Sequence, residues 1–260
     1  MHTNISVSII GHNEAHLLDA CLQSATWADE IVYVDCESSD NSITIAKNYT
    51  DKIFSRPNNK NLNINKSFGF EQCTASWIFY LDPDERIPLK TTEWIKKEII
   101  NPKANAYYFP RRNHILGKWL KHGAQYPDYQ LRLFQKEKAR FPCRHVHEHL
   151  QIEGKIATCS HPILHYPYPD LKTYIIKYNF YTTFEAEYLF DHPPSNLALI
   201  NFTCFKPAIR FIKRYILKGG FLDGIPGLIC IFFDMINFPM RYFKYLELKY
   251  RDKKENEYKT

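Results

Sequence analysis

The chain has 260 residues, of which 45% are hydrophobic and 15% aromatic, so it can bury a sizeable core as one large domain or as a domain with an appended segment. Nine glycines and the lack of any internal repeat exclude repetitive and low-complexity architectures. Seven scattered cysteines with no CxxC pair argue against a disulfide framework and for a reduced, intracellular chain. The start, MHTNISVSII, lacks the basic and apolar regions of a secretory signal, so none is expected. The net charge is +6, and the segment Lys206–Thr260 accounts for all of it.

In chain order, ISVSII (5–10) is a β-branched apolar run that predicts a buried strand. NEAHLLDACLQSA (13–25) has helical spacing with Asn13 as the expected N-cap. EIVYVD (30–35) predicts a strand and SDNSITIAKNY (39–49) a helix capped by Ser39 or Asp40. DKIFS (51–55) reads as strand, NINKSFGFEQCTA (63–75) as helix, WIFYLD (77–82) as strand and KTTEWIKKEII (90–100) as amphipathic helix. This alternation implies βαβ units, and hence a doubly wound, mostly parallel sheet with helices on both faces. From Ala106 to Ser160 the pattern becomes irregular and strand-like, which predicts added antiparallel strands and loops. From Asp170 the chain turns helical, with a break at Pro193-Pro194.

In such sheets ligands bind at the carboxyl ends of the strands. Polar residues gather there three times: Gly11-His12-Asn13-Glu14 after the first strand, Asp35 with Ser38, Ser39 and Asp40 after the second, and Asp82, Asp84 and Glu85 after WIFYL. Each has a plain structural alternative, as a helix cap or a proline turn. There is no GxxxxGK[ST] loop and no GxGxxG fingerprint, so a phosphate-bearing ligand would lack a glycine-rich cradle. Clustered carboxylates offer another route: a divalent cation, Mn²⁺ or Mg²⁺ by its preference for oxygen, can relieve their repulsion and neutralise a diphosphate.

The run SIIGHNEAHLLDACLQSATWADEIVYVDCESSDNS, followed by WIFYLDPDER, resembles the family 2 glycosyltransferases of GT-A fold, and LDPDE is similar to that family's DxD motif. YPDYQLRLFQK and HVHEHL resemble the branch that includes lipopolysaccharide-core glucosyltransferases. The resemblance covers about residues 5–218 and implies an inverting, metal-dependent transfer of a hexose from a UDP-sugar to a lipid-linked or lipopolysaccharide-type acceptor. It implies donor-nucleotide contacts from His12, Asn13, Glu14, Asp35, Lys66 and Asp82, a metal held by Asp84, and Asp128 as general base. Gln130 and Arg132 resemble the QxxRW element, and together with Glu148 are assigned to acceptor or phosphate. His147 is the third metal ligand it suggests, after Asp84 and with Asp82 meeting the ribose or the metal, and His165 competes for the place. Two departures stand out. Cys36-Glu37-Ser38 replaces the usual aspartate-glycine-serine run, and Leu133 replaces the tryptophan.

In CRHVHEHL, the residues Cys143, His145, His147 and His149 would share one face of a strand, but ligands in a line chelate one ion poorly, so a zinc site is the weaker reading. The segment 206–260 is expected to be a basic, helical, amphipathic extension to a catalytic domain at 1–205. Its longest apolar run, Ile225–Phe233, together with Asp223, Asp234, Pro226 and Pro239, argues against a membrane-spanning helix. Interleaved Lys/Arg and aromatics suggest instead docking on an anionic membrane at the cytoplasmic face, or a helix packed on the domain. No nucleic-acid-binding motif is present, and nucleic acid is not an expected partner. A nucleotidyltransferase and an inactive sugar-nucleotide-binding or membrane scaffold are the competing readings. The first lacks its glycine-rich basic loop, and the second is disfavoured by Asp82, Asp84 and Asp128 occurring together.

Overall fold

The computed structural model describes residues 4–59, 61–143 and 148–257. The chain runs through β1 (Ile5–Gly11), α1 (Ala15–Ala25), β2 (Glu30–Asp35), α2 (Ser42–Ala46), β3 (Ile53–Ser55), α3 (Leu62–Gln72) and β4 (Trp77–Leu81). There follow β5 (Glu85–Arg86), α4 (Leu89–Glu98), β6 (Ala106–Ile115), β7 (Lys118–Trp119), β8 (Asp128–Gln135), β9 (Ala139–Arg140), β10 (Gln151–Ile152), β11 (Ile156–Thr158) and β12 (Ile163–Tyr168). The remainder is helical: α5 (Leu171–Asp191), α6 (Asn196–Ile200), α7 (Lys206–Phe211) and α8 (Gly224–Glu257), with π-helical turns at Asn201–Phe205 and Ile212–Leu217. Two compact units result, one of residues 1–112 and 127–165, the other of 113–126 and 166–260.

The sheet order is β3-β2-β1-β4-β8-β6-β12-β5. β3, β2, β1 and β4 are parallel, as expected of βαβ crossovers, and β8 then pairs antiparallel with both β4 and β6. This is the doubly wound α/β layout of GT-A type, its parallel half extended by antiparallel strands from the irregular region.

Both faces of the sheet in the first unit are covered. Val7, Ile9, Phe79 and Leu81 pack with Leu18 and Leu22 of α1 and Ile95 of α4, whereas Ile10, Val34, Ile78 and Tyr80 pack with Phe70 of α3. Alternate residues of β4 therefore enter opposite cores. That is why the strand reads as a continuous apolar run rather than an alternating one.

In the second unit, Asp170 caps α5 by accepting from Thr173 N at 2.7 Å, and the helix ends next to Pro193-Pro194 as expected. Tyr174 stacks between Tyr168 and Phe233, with ring centroids 4.0 and 4.6 Å away. Asp223 accepts from His122 N at 2.8 Å and His122 Nδ1 at 2.9 Å. Arg210 and Arg214 both bind the Asp234 carboxylate.

The sequence argues against a membrane-spanning helix in this segment, and the structure gives it a longer helix than the prolines suggest. α8 is one continuous helix of 34 residues, with Pro226 in its first turn, where no intrahelical N–H is lost, and Pro239 inside it. Gly220–Lys254 holds an 18-residue run of mean hydropathy 1.6, and by length and composition it is the one helix among the described residues that could cross a membrane. All the cysteines are free: Cys204 is exposed, Cys143 half-buried and the others buried.

Candidate active site

The candidate site lies in the first unit, at the carboxyl ends of the parallel strands. The loop after β1 and the turn after β2 form one hydrogen-bonded cluster. His12 Nδ1 donates to the Cys36 carbonyl at 2.6 Å. Asn13 is not the α1 cap; it takes a left-handed conformation (φ 55°), and its Oδ1 accepts from Ser39 N at 2.8 Å. Glu14 holds the cap position, and its N–H donates to Ser42 Oγ at 3.2 Å. Asp35 is buried, with Oδ2 accepting from Ser38 N at 3.0 Å. Asp40 accepts from Ala15 N and Ser42 N, at 3.0 and 2.9 Å, and so closes the first turns of both α1 and α2. The tight turn is kept without its glycine: Glu37 itself sits at φ 57°, a conformation that costs a side-chain-bearing residue roughly 1–2 kcal/mol.

Gly11 joins this cluster to the carboxylates. A Cβ there would lie 3.0 Å from Tyr33 Oη and 3.4 Å from Pro83 Cγ, so only a small residue lets β1 approach the loop 82–86. Arg86 fixes that loop by donating to the carbonyls of Pro83, Glu85 and Leu17 at 2.6–2.7 Å.

Side-chain cations offset much of the carboxylate repulsion. Arg132, on β8, is buried and reaches both Asp82 and the fully buried Glu85, the latter at 2.6 Å. Burial would push the Asp82 carboxyl up. Arg132 foremost, then Lys66 and the Tyr80 hydroxyl, outweigh burial and hold it well below the usual carboxylate range. Lys66 Nζ stands 4.7 Å from the centroid of the Tyr80 ring, and burial pulls its ammonium down against the opposing charge of Asp82.

Asp128 and Gln130 alternate along β8 and therefore share a face, whereas the register slips between Tyr107 and Tyr108 of β6 and leaves Arg132 outside that alternation. Opposite Asp128 in the antiparallel register stands Arg111 of β6, whose Nε and NH2 meet Asp128 Oδ2 at 2.9 and 2.7 Å and whose NH1 lies 3.3 Å from Glu85. Gln130 Nε2 donates to Asp128 Oδ1 at 2.9 Å. The Asp128 side chain stays 29% exposed, open enough to meet a ligand.

Asp84 faces a different partner. The pairing of β12 with β5 puts His165 beside Glu85 in register, and His165 Nε2 lies 3.6 Å from Asp84 Oδ2. A carboxylate oxygen and an imidazole nitrogen this close suit two positions around one hard or borderline divalent ion. Among the described residues no group of three or more His, Cys, Asp and Glu is placed to hold a metal. The remaining positions would fall to water and ligand phosphates, as Mg²⁺ ordinarily requires. His147, the other suggested ligand, lies outside the described residues, as does His145 of the histidine run. Glu148 is in the following coil, where its carbonyl accepts from Asn63 Nδ2 at 3.2 Å.

The structure thus brings together Lys66, Asp82, Asp84, Asp128, Gln130 and Arg132 in one group, and His12, Asn13, Glu14 and Asp35 in another. Sequence reasoning missed Arg111 and the depth at which Glu85 is buried. The signal for Arg111 was an opposite-charge pair across adjacent antiparallel strands, visible only once the register is known.

Residues 6–153 match the model of glycosyl transferase family 2, and the chain belongs to that family. It is 27% identical over 234 residues to the lipopolysaccharide core biosynthesis glycosyltransferase LpsC of Rhizobium meliloti, covering 86% of this chain and 85% of LpsC. An uncharacterized glycosyltransferase of Rickettsia bellii is 26% identical over 241 residues, covering 85% of this chain and 81% of the relative. Among solved structures, S. aureus TarS 1-349 in complex with UDP aligns over 96% of this chain and 91% of its own, at 12% identity and a TM-score of 0.49.

Proposed function

We propose that this family 2 glycosyltransferase transfers a hexose, with inversion, from a UDP-sugar to a lipid-linked or lipopolysaccharide-type acceptor. The observation that carries the reading is the arginine-buttressed group of Asp82, Glu85 and Asp128 at the ends of β4 and β8, with Asp84 of the same loop 82–86 beside His165. Inversion by direct displacement needs one base to take the proton of the attacking hydroxyl. Asp128 is suited to be that base, because Arg111 and Gln130 aim its carboxylate and it is partly open to solvent. Arg132 and Arg111 set a positive field beside the group, where the negative charge of a leaving diphosphate would grow. A divalent cation, Mn²⁺ or Mg²⁺, held by Asp84 and His165, would supply further charge neutralisation for that diphosphate.

In this reading His12, Asn13, Glu14, Asp35, Lys66 and Asp82 belong to the donor-nucleotide side. Gln130 and Arg132 act through Asp128 and the loop 82–86, and Glu148 belongs to the acceptor side. LpsC, whose name describes lipopolysaccharide core biosynthesis, supports the acceptor class. The basic segment 206–254 docks the enzyme on the cytoplasmic face of an anionic membrane, where a lipid-linked acceptor is met.

The test is UDP release from a panel of UDP-sugars with a lipopolysaccharide-type acceptor, with and without Mn²⁺, for the native protein and Asp84→Ala. Turnover of one UDP-sugar that needs both Mn²⁺ and Asp84 is expected. Metal-independent turnover would remove the cation from the reading. Failure of every UDP-sugar would return the chain to a nucleotidyltransferase or a binding scaffold.

A further inference from the structure

The helical run from α6 through the second π turn, residues 196–217, has two differently furnished faces. Its inward face combines an ion-pair cluster, in which Arg210 and Arg214 hold Asp234 of α8, with apolar packing: Pro207 is buried, Leu199 packs against the cluster of Ala186, Tyr242 and Tyr245, and Phe202 stacks on Tyr242 at 5.2 Å. Its outward face is apolar. Leu197, Ile200, Phe205, Ile209, Ile212 and Ile216 are each between 49% and 78% exposed. They follow one another at steps of three to five residues, and so form one stripe. The five-residue step, Ile200 to Phe205, falls in the first π turn, where i→i+5 bonding takes an additional residue and keeps the stripe in line. Phe221, Leu222 and Ile225 extend the exposed apolar surface into the start of α8. A contiguous apolar face of this kind is unusual on a soluble surface and calls for an occupant.

Charge identifies the occupant. From His192 to Leu222 there is no Asp or Glu, while Lys206, Arg210, Lys213, Arg214 and Lys218 all lie in that span. Lys213 and Lys218 are exposed. A second copy seated on the same face would bring these cations against one another, whereas an anionic bilayer satisfies both the apolar stripe and its basic rim. The far end of α8 differs. Phe243 and Tyr250 are exposed there too, but the charges among them are of both signs, Glu247 and Asp252 interspersed with Lys244, Lys249 and Arg251.

Resting on the membrane reading above, we infer that contact is made by the 196–217 stripe lying in the plane of an anionic bilayer, and not by the C-terminal half of α8. The test is co-sedimentation of the full chain with phosphatidylcholine vesicles and with vesicles that also contain phosphatidylglycerol. Ile209→Ser combined with Ile212→Ser should lower the partition coefficient on anionic vesicles by about tenfold or more. Phe243→Ser combined with Tyr250→Ser should leave it within about twofold. Lys213→Gln combined with Lys218→Gln should weaken binding to anionic vesicles and leave the neutral ones unchanged. Unchanged melting temperatures, expected for exposed positions, keep the comparison fair.

Loss of binding in the α8 variants with retention in the stripe variants overturns the inference and leaves the membrane reading standing. No binding of the native chain to either vesicle overturns both. Retention in natural membranes after alkaline carbonate washing assigns α8 as a spanning helix and overturns the in-plane stripe. A dimer in solution abolished by Ile209→Ser makes a second copy the occupant.

Discussion

Replacing Arg132 by methionine tests whether side-chain cations hold the carboxylate group together. Methionine keeps much of the length and removes the charge. Glu85, with no exposed side-chain surface, then loses its closest cation and keeps Arg111 at 3.3 Å and the Asp82 N–H at 3.1 Å. Asp82 is 30% exposed and regains water, so Glu85 carries most of the penalty. Breaking one side of a buried ion pair costs about 3–5 kcal/mol, which for a chain of this size lowers Tm by at least about 6 °C. Urea melts of the native chain, Arg132→Met, Glu85→Gln and the double variant form a cycle. The neutral amide of Glu85→Gln no longer needs the arginine, so the double variant should recover about 1 kcal/mol or more relative to Arg132→Met. A loss below about 1 kcal/mol, or no recovery in the double variant, refutes the idea that Arg132 is the counter-charge to Glu85.

Asp128→Asn keeps the shape and removes the proton acceptor; kcat should fall by about 10² or more with UDP-sugar affinity within a few-fold, measured by steady-state kinetics and calorimetry. A preserved kcat with weakened donor binding would make Asp128 a binding residue. Burial pushes the Glu30 carboxyl up, but hydrogen bonds from Lys52, Ser6 and Thr74 outweigh it and hold it at about 2 against 4.5. The folded value is the lower one, so the stabilisation is complete above about pH 4.5 and fades as pH falls toward 2. Glu30→Gln should therefore cost about 2 kcal/mol at neutral pH, with the gap closing through that acid range in urea melts; a gap independent of pH would count against it. At Gly220 an added Cβ would sit 2.8 Å from the Arg214 carbonyl oxygen and 3.2 Å from Tyr215 Cα, both backbone atoms that yield little. Gly220→Ala should cost about 1–3 kcal/mol in thermal melts.

The parallel half of the fold was legible because its strands are apolar runs and its helices are periodic. β1, β2 and β4 fall within a residue of the expected spans. Helix ends were read less well. Asn13 looked like a cap, yet its side chain is taken by Ser39 across the neighbouring turn, a partner 26 residues away that no local pattern announces. α2 is only Ser42–Ala46, with Asn41 at the cap position, shorter than SDNSITIAKNY suggested. Two prolines argued against a membrane-spanning helix, yet one sits where helices tolerate it and the other is carried inside the continuous α8. For the site, LDPDE announced carboxylates but not their counter-charges. Arg132 was visible as part of a motif, and its bond to Glu85 spans 47 residues. Arg111 had no sequence signal until the β6–β8 register placed it opposite Asp128. Long-range pairing of charges is set by topology, and topology was the part that the apolar pattern only implied.

The distribution of thiols has a practical consequence. Burial raises the pKa of Cys21, Cys36, Cys73, Cys159 and Cys230 and, more mildly buried, of Cys143, which keeps these sulfurs in the slow-reacting thiol form. Cys204 is the exposed cysteine, and it lies between Ile200 and Phe205 on the apolar stripe. A maleimide at neutral pH should therefore mark the native chain first at that sulfur, without any engineered residue. An environment-sensitive dye attached there would change colour as the stripe leaves water for lipid, and a quencher carried at known depth in the acyl chains would measure how far the helix sinks.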